Sequence, residues 1–143
     1  MLKKKISAFT FGETAYRMGE QIIQKGIKGV SVIGFMHPKE IEDARCVCTT
    51  DDETFRKAFQ KRLGNKTLSF RFVTFLRTIF RIKKSPKAII LIAGLGGNYG
   101  SKFVVEAARM AREAGCEPIT AILQLPFAFE GIVRKERANT ALE

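Results

Sequence analysis

Ala88-Ile-Ile-Leu-Ile-Ala93 is apolar at every position and runs directly into Gly94-Leu-Gly-Gly-Asn-Tyr-Gly100. A strand without a polar side is buried on both faces, the condition of a strand inside a parallel sheet covered by helices above and below. The turn packs four glycines into seven residues and opens a helix. The spacing predicts Val104, Ala107, Ala111 and Ala114 facing inward and Lys102, Glu106, Arg109 and Glu113 outward, with Ser101 as the N-cap and Gly115 as the stop.

The rest of the chain reads as more of the same alternation. Lys4 to Thr10 is a first strand, followed by a helix from Gly12 to Lys25 that stops at Gly26. Gly29 to Phe35 and Arg45 to Thr49 are two further strands, separated by a break at His37-Pro38. Thr50 or Asp51 caps a helix that runs to about Leu63. Leu68, Phe72, Phe75, Leu76, Ile79 and Phe80 recur at helical spacing up to Ile82, and Pro86 closes that segment. Ile119 to Leu125 is a fifth strand, and Glu130 onward has a helical pattern. Strands alternating with helices imply right-handed crossovers. The expected fold class is therefore α/β: a Rossmann-like three-layer sandwich on a mostly parallel sheet of about five strands. With 143 residues and no repeat or linker, residues 1–143 are expected to form a single domain.

Function classes narrow next. No run of about 18 apolar residues is present, so no transmembrane segment is expected. Met1-Leu-Lys-Lys-Lys-Ile6 lacks the apolar core of a signal peptide, and three cysteines do not suggest a disulfide scaffold. These features predict a cytoplasmic protein. The formal charge of +11 has one source, because Arg56 to Lys87 holds eleven basic residues and no acid while the remainder balances. A run of that kind favours a polyanion or an acidic protein partner over residues 56–87, although a solvated helix face has the same composition. Cys46, Cys48, Cys116 and the lone His37 do not have zinc-site spacing, and His37 lacks an obvious nucleophile to serve.

The glycine turn is the strongest functional feature. In a parallel sheet, ligands bind beyond the carboxyl ends of the strands, and amides at a helix N-terminus favour an anion. Glycines allow close approach and positive φ, and Asn98 is the other residue that tolerates such a conformation. The P-loop pattern fails: Leu95 stands where its first glycine belongs, and Ser101-Lys102 reverses its last two residues. A dinucleotide fingerprint is only partly met, with Gln124 near the position of an acidic ribose ligand. A tight turn without ligand is the bland alternative.

Ala93-Gly-Leu-Gly-Gly-Asn-Tyr-Gly-Ser101, followed by a helix, a strand and Leu125-Pro-Phe-Ala-Phe-Glu-Gly-Ile-Val-Arg134, resembles the N-terminal nucleotide-binding domain of FtsZ, the bacterial relative of tubulin in cell division. The family reads A-G-x-G-G-G-T-G-T-G and, about thirty residues on, P-F-x-F-E-G-x-x-R. Gly26-Ile-Lys-Gly-Val30 also resembles its E-G-I-x-G-V, and the segment from Asp51 to Lys87 matches least. The resemblance implies GTP or GDP, with Mg2+ accompanying the nucleotide. Its phosphates would rest on Gly94, Gly96, Gly97, Asn98, Tyr99, Gly100 and Ser101, with Gly12 in a second loop and Glu130 and Arg134 on the ribose side.

Departures from the family pattern matter. Asn98 replaces a glycine, Tyr99 a threonine and Lys102 the last glycine, while Glu13 adds an acid beside the phosphates. The sequence ends before the family's guanine-recognising residues, second domain and water-activating acidic loop, which implies nucleotide binding without hydrolysis or polymerisation by this chain alone. Two other readings remain open. One is a ligand-free interaction module, with a protein partner or a second copy; the other is a small enzyme acting on a different phosphate-bearing substrate. Glu130 and Arg134, four apart, would otherwise be an ordinary helix ion pair.

Overall fold

The computed structural model describes residues 6–37, 45–63 and 88–143. Its elements run β1 (Ile6–Phe11), α1 (Glu13–Gln24), β2 (Val30–Met36), β3 (Cys46–Cys48), α2 (Asp52–Leu63), β4 (Ile89–Gly94), α3 (Asn98–Glu113), β5 (Ile119–Gln124), a 3-10 turn (Ala128–Glu130) and α4 (Ile132–Leu142). The strands form one sheet in the order β3-β2-β1-β4-β5, and every pair is parallel. The α/β class and the five strands agree with the sequence reading. The expected helix from Leu68 to Ile82 and most of the basic run lie outside the described residues.

Alternation along the strands sorts the two faces of the sheet. Phe9 and Phe11 of β1, Phe35 of β2 and Leu91 of β4 point to one side, where Phe55 and Phe59 of α2 and Phe103 of α3 meet them. The rings interlock, with Phe9 and Phe59 edge-on at 4.9 Å between centroids and Phe55 and Phe103 at 4.4 Å. Such aromatic pairs add about 0.5–1.5 kcal/mol beyond the area they bury. The other side is covered by α1 through Ala15, Tyr16 and Gly19. Small residues permit that contact: a Cβ on Gly34 would stand 2.7 Å from the Tyr16 ring. The fully apolar β4 is thus buried between layers, as its composition requires.

Asp51 caps α2, one of the two residues that the sequence offered. Its Oδ1 accepts the Thr54 N–H at 2.8 Å, and Thr54 Oγ1 donates back to the Asp51 carbonyl at 3.1 Å. The backbone bond from Thr54 is the main reason that the Asp51 carboxyl is held below its ordinary value. A depressed carboxylate contributes stability that is complete above its unfolded pKa and is lost as pH falls through the folded one. Melting temperature should therefore drop more steeply in the parent than in Asp51→Asn between about pH 5 and pH 2. The two should coincide at neutral pH, since asparagine caps as well as aspartate. Parallel curves across that range would remove Asp51 from the acid response.

Candidate functional site

β1 and β4 are neighbours, and their ends are level, with Phe11 opposite Ala93. From β1 the chain proceeds to β2 on one side; from β4 it proceeds to β5 on the other. The crevice between them is the switch point at which open α/β sheets receive ligands. A cavity of about 610 Å³ lies there. Its walls are the residues just beyond the strand ends: Gly12, Glu13 and Thr14 after β1, His37 after β2, Thr50 beyond β3, the glycine turn after β4, and Leu125 and Pro126 after β5.

Eight of the ten residues singled out from the sequence line this cavity: Gly12, Gly94, Gly97, Asn98, Tyr99, Gly100, Glu130 and Arg134. Gly96 and Ser101 are buried behind it, where Ser101 Oγ accepts the Gly96 N–H at 2.9 Å. Ser101 is therefore not the helix cap that the sequence suggested. α3 begins three residues earlier at Asn98, with Gly97 as N-cap and no side chain bonded to its first amides. The positive φ falls on one of the turn's glycines, Gly96 at φ +101°, while Asn98, the other residue able to tolerate it, is already helical. Arg137 Nη1 donates to the Gly96 carbonyl at 2.8 Å and holds the turn from the side of α4.

Gly97 and Gly100 are glycines for different reasons. At Gly100 a Cβ would lie 2.4 Å from the Gly94 carbonyl and 3.3 Å from that of Phe11, so α3 rests directly on the ends of β4 and β1. At Gly97 the backbone is extended, φ −79° and ψ 150°, and a Cβ would meet nothing within 4 Å. Any residue fits the conformation there; the space in front of it is what glycine leaves open. α1 repeats the arrangement, with Gly12 as N-cap at φ +86° and no side-chain cap. Two helix N-termini, each positive at its end, thus open on one cavity.

The charged walls are mostly paired. Glu13 accepts from Arg17, Nη2 at 2.5 Å and Nε at 3.1 Å, which offsets the repulsion expected from an acid at this place. Lys102, in the position of the family's last glycine, reaches Asp52 at 2.5 Å and lines the cavity. Glu130 accepts the Phe127 N–H at 2.9 Å and Arg134 Nη1 at 2.6 Å, and these bonds hold its carboxyl below the usual range. The ion pair that is the alternative reading of these two residues is present, although Glu130 stands in the 3-10 turn and Arg134 in α4, with Gly131 at φ +95° between them. The Tyr99 and Thr49 hydroxyls are hydrogen-bonded to each other, which ties the turn to the end of β3.

Sequence reasoning gave no cavity role to His37, Thr50 or Lys102. The first two could have been found by taking the residues just past every strand's carboxyl end. Two members of the basic run are paired with acids outside it: Arg56 bonds Glu106, fifty residues on, at 2.7 Å, and Lys57 bonds Glu53, four residues before it, at 2.6 Å. No helix among the described residues is long and apolar enough to cross a membrane.

No protein-family model matches the sequence, and no curated protein matches it. Among solved structures, the chain is similar to an FtsZ dimer, empty, from M. jannaschii, with a TM-score of 0.64 and 16% identity. The match covers 98% of this chain and 41% of that one, so the present sequence spans less than half the length of its structural neighbour. At this identity the likeness shows an FtsZ/tubulin-like fold.

Proposed function

We propose that the cavity holds a guanine nucleotide, GTP or GDP, with its phosphates on the N-termini of α3 and α1 and its ribose toward Glu130 and Arg134. The observation that carries the reading is Gly97: an N-cap in an unstrained conformation, with open space where a side chain would be and uncapped amides behind it. Ser, Asp or Asn would stabilise the helix better at this position. A ligand oxygen that takes the cap's place accounts for the glycine. Lys102 and Arg134 supply nearby positive charge, and Glu13, a hard oxygen donor on the cavity wall, is the residue that would share a Mg2+ ion with the phosphates. Such an ion would neutralise charge between the phosphates and Glu13.

The reading is of binding without turnover by this chain alone. A general base works best with a pKa near the operating pH, whereas Glu130 is held lower by Phe127 and Arg134, and Glu13 is engaged by Arg17. Thermal shift with a nucleotide panel tests the proposal. GTP or GDP at a hundred times its dissociation constant should add about 2.7 kcal/mol of stability, more with Mg2+ than with a chelator, and inorganic phosphate should add less. Equal melting temperatures with and without millimolar nucleotide would overturn it in favour of an interaction module. Stabilisation by other phosphorylated compounds but not by guanine nucleotides would favour the small enzyme.

A further inference from the structure

Among the described residues β5 is the outer strand of the sheet and pairs with β4 alone. Ile89 N–H donates to the Pro118 carbonyl and Leu95 N–H to the Gln124 carbonyl. Alternation then turns the backbone groups of Thr120, Ile122 and Gln124 toward β4, and those of Ile119, Ala121 and Leu123 outward. Natural sheet edges are blunted by lysine, by proline within the strand, by a bulge or by a covering helix. Ile119–Gln124 contains neither lysine nor proline, and α4 packs chiefly against α3. Thr120, Ala121 and Ile122 are exposed in succession, Ile122 to 44%.

Charge and register select the occupant. Between Glu117 and Glu130 lie twelve consecutive uncharged residues, in a chain of formal charge +11. An acidic partner would be drawn to the cationic parts of the surface, whereas another copy of so basic a chain can approach only where like charges do not meet. Pro118 and Pro126 stand four residues to either side of Ile122. A two-fold axis through Ile122 therefore sets Pro118 opposite the partner's Pro126. It also places Ala121 opposite the partner's Leu123 and Ile119 opposite the partner's Leu125, the pairs whose outward N–H and C=O groups can exchange both ladder bonds. Ile122 then lies against its own copy as a non-hydrogen-bonded pair, the type with the closest side chains, and Thr120 faces the partner's Gln124.

We propose that two copies of the chain join edge to edge through β5, antiparallel and centred on Ile122, into one continuous sheet. Sedimentation equilibrium of the full chain should then show a monomer–dimer equilibrium. Ile122→Lys sets two like charges opposite each other and should abolish the dimer, while at protein concentrations low enough for the parent to be monomeric the two should melt together, since the residue is exposed in the single chain. With Cys46 and Cys48 replaced by serine, Ile122→Cys should form a disulfide-linked dimer on mild oxidation. Opposed non-hydrogen-bonded residues have Cα atoms about 4.5 Å apart, within the roughly 4.4–6.8 Å that a disulfide spans. Thr120→Cys alone should not cross-link, whereas combined with Gln124→Cys it should. A monomer at every concentration up to the solubility limit would overturn the proposal. So would a dimer that survives Ile122→Lys, or cross-linking at Thr120→Cys but not at Ile122→Cys.

Discussion

Gly100→Ala is expected to destabilise the protein by about 3 kcal/mol, the upper part of the usual range for overpacking. In an exposed helix the same change would stabilise by about 1 kcal/mol, because alanine is the better helix former. The sign therefore reports on packing. The added Cβ would stand 2.4 Å from the Gly94 carbonyl and 3.3 Å from the Phe11 carbonyl, both backbone atoms of central strands that cannot rotate aside. Relief requires α3 to lift from the sheet, which loosens Phe103, Val104, Ala107 and Ala111, all buried under it. The melting temperature should fall by about 10 °C, at about 3–4 °C per kcal/mol for a chain of this size. Gly97→Ala, with nothing within 4 Å of its Cβ, is the control and should shift it only slightly. A Gly100→Ala protein that melts at or above the parent temperature would show that the helix does not sit this close.

The range of each interaction decides whether the sequence reveals it or hides it. β4 is legible because an all-apolar run of six residues has few places to go except the middle of a parallel sheet. The cap of α2 is legible because Asp51 and Thr54 are three residues apart and bond each other. The start of α3 is not. Ser101 is the usual kind of N-cap, but the helix begins at Asn98 behind a glycine that caps nothing, and the serine hydroxyl instead accepts the Gly96 amide. Local preference loses there to what the cavity leaves open. Arg56 and Glu106 are fifty residues apart, as are Thr49 and Tyr99, and no short-range pattern announces such pairs. Composition overstates the free positive charge at Arg56 and Lys57, the first because its acid lies so far along the chain. The exposure of β5 is equally invisible, since Ile119–Gln124 has the composition of an interior strand and only the sheet order puts it at the edge.

Gly97→Val should leave the fold nearly intact and remove nucleotide binding. A block on backbone conformation is not the reason, because φ −79° and ψ 150° lie in the β region that valine prefers. Without ligand the substitution should lower stability by no more than about 1 kcal/mol, through a poorer N-cap. The isopropyl group would occupy the open space before the first amides of α3, where the phosphates are proposed to rest. At a nucleotide concentration that gives the parent about 2.7 kcal/mol, a hundred times its dissociation constant, the variant should gain nothing measurable. That corresponds to an affinity loss of about a hundredfold or more. Gly97→Ser separates blockage by bulk from competition for the amides. Its hydroxyl should cap α3 and raise the melting temperature of the free protein. It should also weaken nucleotide binding, because it bonds the same N–H groups that the phosphate would take. A nucleotide shift unchanged in both variants would mean that the phosphates do not rest on this turn, whatever else the cavity holds. If serine raises stability and valine is neutral, but no nucleotide shifts even the parent, then Gly97 serves only the strand-to-helix connection and the cavity is not a guanine-nucleotide site.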